Sequence, residues 1–323
     1  MNKAIISNRG KAEIKEVPMP KLQNESLIIK QVSFGLNYDD IKVLEGKIKN
    51  PNSYGILGIE AAGIVTEVGK DCKKDFKVGD RVCYATYHPG SFVKFRNVHE
   101  NYLIPIPRYL NFEGASTILK GLMAYTLLGK IFVINSPSIV LLSGASGAIG
   151  SFVTQIASKA GIKIIALTSN DAKKDYIKSN GAIEAINYKK ENTVEIIRSI
   201  TKGKGVDFFF DCLGLDVTDF AFKVLKTRGF FISFGSITNE FVLNAELNLE
   251  MKQKSITFSK VLLGNFITNY NDFMSTSLAY MKSIQAGVVR PFIHTFDFKN
   301  PNQAFLDLKN SISTGQKVLL YEE

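Results

Sequence analysis

Ser138-Ile139-Val140-Leu141-Leu142-Ser143-Gly144-Ala145-Ser146-Gly147-Ala148-Ile149-Gly150 is the stretch whose reading decides the fold. It opens with a short apolar, β-branched run of the kind that makes a buried strand. Three glycines follow with a period of three, Gly144, Gly147 and Gly150, and Phe152, Val153, Ile156 and Ala157 then recur at helical spacing. Strand, glycine turn and helix open a dinucleotide-binding βαβ unit. There the backbone approaches a pyrophosphate closely, and a helix N-terminus turns free N–H groups toward it. The spacing departs from G-x-G-x-x-G, because Ala145-Ser146 occupy the middle. Three glycines alone also suit a tight turn under close helix–sheet packing. The next segment weighs between the two: residues 162–168 (IKIIALT) form a second apolar strand. The unit then closes as β-turn-α-β within the ~30 residues that it takes.

Downstream the alternation continues. Strands are expected at 138–142, 163–167, 185–188, 206–211 and 229–234, with helices at 148–160, 172–179, 193–200 and 220–225. Five strands alternating with helices imply a parallel, doubly wound sheet with both faces covered. Residues 256–263 (ITFSKVLL) read as a last strand. Upstream, to about residue 107, short strands with glycine turns predict a partly closed, barrel-like β-rich domain. These strands are 27–33, 58–68, a turn and strand over 78–84, and 90–95. Gly63 interrupts the second, which suggests a bulge or a close backbone contact. Residues 113–128 suit one or two helices. The helices at 269–285 and 302–309 and the strand at 317–321 do not continue the alternation and are assigned to the first domain. The expected organisation is therefore an α/β chain with a discontinuous β-rich domain, 1–118 and 265–323, and an inserted cofactor domain, 119–264.

A chain of 323 residues with 45% hydrophobic and 22% charged residues has the length for two domains and the composition of a core-burying protein. No apolar run approaches the ~18 residues of a membrane span. Residues 1–20 carry charges throughout, with no apolar core of signal-peptide length. Cys72, Cys83 and Cys212 are scattered. That argues against a disulfide framework or a zinc cluster and favours a reducing cytoplasm. His88, His99 and His294 show no paired ligand spacing and read as ordinary surface or loop residues. The net charge of +10 admits nucleic acid or anionic ligands. The lysines are nevertheless spread along the chain, with no basic tract interleaved with aromatics. A solvated lysine-rich surface is the simpler reading, and nucleic acid is not expected.

Several stretches in collinear order cover nearly the whole chain: 35–40 (GLNYDD), 57–65 (LGIEAAGIV), 78–82 (VGDRV), 119–125 (LKGLMAY), the glycine turn, and 181–188 (GAIEAINY). Together they resemble the medium-chain dehydrogenase/reductase superfamily, and within it the NADPH:quinone oxidoreductases of the zeta-crystallin type. The resemblance implies a GroES-like catalytic domain, a Rossmann domain, a cleft between them and a homodimer. The dimer would pair Rossmann domains through edge strands, here around 256–263. An apolar edge strand left open is an aggregation liability, which is a separate reason to expect it covered.

Zinc members of the superfamily carry a Cys where this chain has Asn37 and a His where it has Ile59; Glu60 remains, and the four-cysteine structural lobe is missing. A catalytic zinc needs thiolate, imidazole or carboxylate ligands with one position open. A zinc-independent enzyme is therefore expected. Without a Lewis acid the substrate must accept hydride readily, as quinones and α,β-unsaturated carbonyls do. Asn37 is the candidate for orienting the nicotinamide or the substrate oxygen, or else it holds a turn through its side chain. Tyr38 forms an aromatic wall or packs in the core. Lys42 stands where related reductases often carry a tyrosine, which leaves solvent as a proton source.

An acid at the end of the second Rossmann strand would bind the ribose hydroxyl of NAD and repel a 2′-phosphate. Here that strand ends Leu167-Thr168-Ser169-Asn170, with no acid before Asp171. Resemblance places Lys173 on the 2′-phosphate, with the Ser169 hydroxyl beside it; the Lys173-Lys174 pair equally suits a solvated helix start. Asp171 is discordant, and NADPH is the expected cofactor. The resemblance further implies Gly144, Gly147, Ala148 and Ile149 along the pyrophosphate, and Lys120 and Tyr125 near the phosphates and nicotinamide. It sets Tyr188 against the adenine, and Phe234 and Gly235 at the carboxyl edge of a later strand; each of these could instead be packing. Cys212 reads as a small buried hydrophobe. The expected activity is hydride transfer from NADPH to a quinone. Reduction of an enone by the same cofactor is the alternative, decided by loops such as 42–54 and 85–91. A non-enzymatic, RNA-binding or crystallin-like protein is the reading from a different class.

Overall fold

Two units share the chain in the computed structural model, which describes residues 2–52, 54–132, 134 and 136–322: Met1–Leu122 with Ile267–Glu323, and Met123–Phe266. The first unit opens with a hairpin of β1 (Asn2–Asn8) and β2 (Lys11–Val17). Then follow β3 (Ser26–Gly35), helix α1 (Tyr38–Leu44), β4 (Glu60–Val68), β5 (Arg81–Ala85), β6 (Phe95–His99) and β7 (Leu103–Pro105). Helices α2 (Phe112–Ala115) and α3 (Ile118–Gly129) come next. β3 is the centre of an antiparallel sheet. It pairs with β4 along most of its length and with β6 over Ser26–Lys30, while β5 pairs with β4 and β7 with β5. Because β3 is buried on both faces, its sequence alternates only in part. Gly63 marks a close approach of two backbones: a β-carbon there would lie 2.3 Å from the Lys30 carbonyl, beside a register shift in the β3–β4 ladder.

The strand expected at 90–95 begins later, at Phe95. The N–H groups of Gly90 and Ser91 donate to the Gly58 carbonyl, and that of Phe92 to the Leu57 carbonyl. This segment is therefore bonded to the loop before β4 and, around an isolated bridge of Val93 to Ala4, to neighbouring strands: the Phe92 carbonyl accepts from Ile5, the Lys94 N–H donates to Lys3, and the Lys94 carbonyl accepts from Gln31.

The second unit runs β8 (Ile139–Leu142), α4 (Ala148–Lys159), β9 (Lys163–Thr168), α5 (Lys174–Ser179), β10 (Glu184–Asn187), α6 (Thr193–Ile200), β11 (Val206–Asp211), β12 (Leu225–Ser233), α7 (Ala245–Lys254) and β13 (Thr257–Lys260). All six strands are parallel, in the order β10-β9-β8-β11-β12-β13. This is the doubly wound order that reverses beside β8. The sheet is covered on both faces, so Ile164, Ile165, Ala166, Leu167, Phe209 and Phe210 are all buried. Residues 220–225 are not the helix expected of them. Ala221, Phe222 and Val224 are all fully buried, while Lys223 reaches out to the Glu246 carboxylate at 3.3 Å. The segment turns tightly, with Phe220 N–H donating to Val217 and Leu225 N–H to Phe222, and Leu225 already opens β12.

The chain then returns to the first unit through α8 (Tyr270–Gln285), β14 (Ile293–Asp297), α9 (Pro301–Lys309) and β15 (Gln316–Leu320). β15 pairs antiparallel with the end of β3, Val318 opposite Gly35, and parallel with β14 at the sheet edge. Phe298, Phe305 and Leu319 thereby join Phe34, Phe92 and Tyr84 in one core. Among the described residues no helix is long and apolar enough to cross a membrane.

Candidate active site

In the first unit, β3 ends at Gly35 and the chain turns through Asn37 into α1. Asn37 caps the helix from an extended conformation, φ −122° and ψ 157°. Asp40 closes a capping box, accepting the Asn37 N–H on Oδ2 at 2.8 Å, while its Oδ1 accepts the Gly58 N–H at 3.1 Å. The Asn37 amide nitrogen donates to the Gly35 carbonyl at 3.1 Å and to Glu60 Oε1 at 2.9 Å. Glu60 opens β4 with no exposed surface. Its Oε1 also takes the Lys120 ammonium from α3, and its Oε2 accepts the Leu119 N–H at 2.9 Å. A β-carbon on Gly35 would lie 2.1 Å from the Ser116 carbonyl and 2.4 Å from Glu60 Oε1, so only glycine admits this arrangement.

Two carboxyls and one ammonium are thus buried together. Burial raises the Asp40 carboxyl to about 7, against the pull of the Asn37 N–H and of Lys120. Burial also pushes Glu60 upward, with Lys120 opposing. Tyr38, partly buried, packs against the core of the unit. Lys120 is 3% exposed and committed to Glu60.

In the second unit, β8 delivers Ser143 into a buried network. Its Oγ donates to Asp211 Oδ1 at 2.6 Å and accepts the Cys212 N–H at 2.8 Å; the Asp211 carboxylate also accepts from Leu213 and Gly214. The carboxyl ends of β8 and β11 are tied together where the strand order reverses. Burial lifts Asp211 to about 6. Gly144 has φ +64°, and a β-carbon there would meet Cys212 Sγ at 2.5 Å. On Gly150 it would lie 2.3 Å from the Gly144 carbonyl, on which α4 seats. Gly147, the N-cap of α4, has no side chain to take up first-turn N–H groups, so those of Ala148 and Ile149 are left facing the turn. A cradle of backbone donors without side chains fits a pyrophosphate. Phe234 follows β12 at the same edge, its N–H on the Asp211 carbonyl at 2.8 Å, and a β-carbon on Gly235 would sit 3.2 Å from that of Cys212.

Parallel register puts the ends of β9 and β10 on this edge too. Ser169 is exposed just past β9; Lys173 is 7% exposed, so the reading of it as part of a solvated helix start does not hold. Asp171 is held by Lys190 at 2.8 Å, Asn187 at 2.9 Å and Lys174 at 3.4 Å, which keeps its carboxyl down at about 2. The discordant acid thus carries its own cations. Tyr188 packs against the core of the unit and places its hydroxyl 3.2 Å from the Asp216 carboxylate; burial, then Asp216, raises it. Tyr125 is partly buried on α3. The expected residues therefore fall into two groups. Asn37, Tyr38 and Lys120 belong to the first unit; Tyr125, Gly144, Gly147, Ala148, Ile149, Ser169, Lys173, Tyr188, Phe234 and Gly235 belong to the second. Sequence reasoning missed Asp40 as a buried acid, although its spacing of three from Asn37 is a capping signal, and it missed the Ser143–Asp211 tie. Of the loop 42–54, Ser53 lies outside the described residues.

Residues 148–279 match the zinc-binding dehydrogenase family, and residues 23–108 match the alcohol dehydrogenase GroES-like domain. The probable quinone oxidoreductase of Schizosaccharomyces pombe is 29% identical over 98% of this chain and 96% of its own. This chain belongs to the medium-chain dehydrogenase/reductases, as a member of the quinone oxidoreductase family. A crystal structure of the Escherichia coli family member complexed with NADPH matches 99% of this chain and 100% of its own, with a TM-score of 0.93 at 26% identity. A 2-haloacrylate reductase from a Burkholderia species is 26% identical over 90% of each chain. Zinc, named in one of the family descriptions, does not fit the residues present. Asn37 and Ile59 offer neither thiolate nor imidazole, and both Glu60 oxygens are taken by Lys120, Asn37 and Leu119. Among the described residues, no three His, Cys, Asp or Glu side chains are grouped to hold a metal ion.

Proposed function

We propose that this chain reduces a quinone with hydride from NADPH and uses no metal ion in the step. The observation that carries this reading is the side-chain-free cradle of Gly144, Gly147 and Gly150 at the point where the strand order of a parallel sheet reverses. The quinone oxidoreductases similar over nearly the whole chain support it. When bound, NADPH supplies a hydride from its reduced nicotinamide. The N–H groups of Ala148 and Ile149 hold the pyrophosphate. Ser169 and Lys173 hold the 2′-phosphate, with Asp171 already neutralised by Lys174 and Lys190. Tyr188 flanks the adenine; Phe234 and Gly235 border the nicotinamide half. Asn37, Tyr38, Lys120 and Tyr125 serve the reacting end. A quinone spreads the incoming electron pair onto oxygen, so these residues need only position the reactants and exclude water. Solvent supplies the proton.

The Met123–Phe266 unit is the NADPH domain in this reading, and the enzyme works as a cytoplasmic homodimer. β13 supports the dimer: it is the edge of the six-stranded sheet, with Leu262 62% exposed just beyond it. Three free cysteines suit a reducing compartment. The similarity to the 2-haloacrylate reductase favours one second reading, hydride delivery to an activated carbon–carbon double bond.

An anaerobic NADPH-oxidation assay tests both, with a small quinone and an enal as acceptors, NADH alongside and a chelator present. Quinone turnover that prefers NADPH and survives chelation is expected. Preference for the enal selects the second reading, NADH preference sinks the roles of Ser169 and Lys173, and loss of activity on chelation overturns the metal-free step.

A further inference from the structure

We propose that Asp211 is a positioning residue for cofactor binding: acting through the Ser143 hydroxyl, it holds the turn at Gly144–Gly147 in the shape that receives a pyrophosphate. The inference rests on the NADPH reading and deepens it, because it makes that binding depend on a buried acid for which the hydride step has no use.

Asp211 closes β11 with no exposed surface, and its three bonded partners are all uncharged. Burying a carboxylate without a cation is costly, and plain strand packing gives no return for it. What the acid offers is acceptor capacity on both oxygens. Oδ1 takes the Ser143 hydroxyl at 2.6 Å and the Leu213 N–H at 3.1 Å, and Oδ2 takes the Gly214 N–H at 2.9 Å. Ser143 is the last residue before the turn. Its own N–H donates to the Phe210 carbonyl at 3.0 Å, so main chain and side chain alike are fixed to β11. Gly144 follows, and its missing β-carbon leaves room for the Cys212 sulfur. The Gly144 carbonyl accepts the Gly147 N–H at 2.9 Å, and Gly147 leads directly into the N–H groups of Ala148 and Ile149. Asp211 is thus joined to the pyrophosphate donors by contacts that all lie within the second unit. An amide in its place would have one acceptor atom instead of two. Whichever way that amide turned, its nitrogen would meet another donor at one of the three bonds.

The test is calorimetric titration of the full chain with NADPH, without an electron acceptor, at pH 8, where the Asp211 carboxyl is ionised. Asp211→Asn and Ser143→Ala are each expected to bind NADPH about tenfold more weakly, the range of one hydrogen bond to a charged group. Because both cut the same link, the double variant should be no weaker than the weaker single. Ser143→Thr, which keeps the hydroxyl, should recover the affinity that Ser143→Ala loses; this comparison stands alone if circular dichroism shows Asp211→Asn unfolded. Affinity unchanged in either folded single variant overturns the inference alone. So do losses that multiply to about 100-fold in the double, as two separate structural contacts would give, or a Ser143→Thr no better than Ser143→Ala. A wild type that does not bind NADPH overturns the NADPH reading and the inference with it.

Discussion

Gly144 answers two demands at once, a left-handed backbone and the Cys212 sulfur packed where a side chain would begin. Gly144→Ala is therefore expected to lose about 1–3 kcal/mol of stability in urea titrations and to weaken NADPH binding more than tenfold. Unchanged affinity would remove the turn from the site. Asp40 makes a different prediction. Burial holds its carboxyl at about 7 in the fold, against an ordinary value of 3.8. Between those values the folded chain keeps a proton that the unfolded chain has released, so stability falls as pH rises from 4 to 7. Asp211, raised to about 6, adds a fall of the same sign over a narrower window. Urea titrations from pH 4 to pH 8 should show a shallower fall for Asp40→Asn than for the wild type, and parallel curves would mean that Asp40 is ionised throughout. The glycine turn, and Asn37 as a residue that holds a turn through its side chain, were legible in sequence because each sits in a few consecutive residues. The partner of Lys120 was not: Glu60 lies sixty positions earlier, and only the closing of β3 against β4 and α3 brings the two charges together. Nor could residue order show that Lys173 is buried, or that Lys190 and Asn187 reach back to Asp171.

Elements were readable where burial makes a sequence monotonous. β8, β9 and β11 are covered on both faces and read as apolar runs. The β1–β2 hairpin carries charged residues along β2, α7 buries only Leu247, and β14 is a partly exposed edge, so none of the three leaves a clear period. The turn at 220–225 was misread for a related reason. Its carbonyls are capped from a distance, by the Lys254 ammonium, which donates to Phe222 at 2.8 Å and to Lys223 and Leu225 at 3.2 Å. Lys254→Ala strips these carbonyls of their donor. It should cost about 1–3 kcal/mol in a denaturant titration while leaving the dissociation constant of NADPH unmoved. At the sheet edge the Val261 N–H turns inward to the Ser233 carbonyl, so by strand alternation that of Lys260 turns outward. Lys260→Pro removes a backbone donor from the open side of β13. Sedimentation should then find monomers in place of the proposed dimer; a dimer that persists must join by another face.

At the scale of the whole molecule, the second unit is one continuous segment and the first is not. A fragment of residues 118–266, which keeps α3 entire, is expected to unfold cooperatively on its own and to bind 2′,5′-ADP, the half of NADPH that the second unit holds in the proposed reading. A fragment that stays unfolded would show that the second unit depends on the first. No such truncation serves the first unit, because β15 completes the sheet beside β3. That adjacency has a consequence for synthesis. On a ribosome, β3 emerges about 280 residues ahead of its neighbour, a wait of roughly 15–60 s at ordinary elongation rates. Residues 123–266 can fold within that interval. Until β15 emerges, the nascent chain carries an unzipped β3 edge beside a finished domain, and that edge is where a chaperone would have to stand guard.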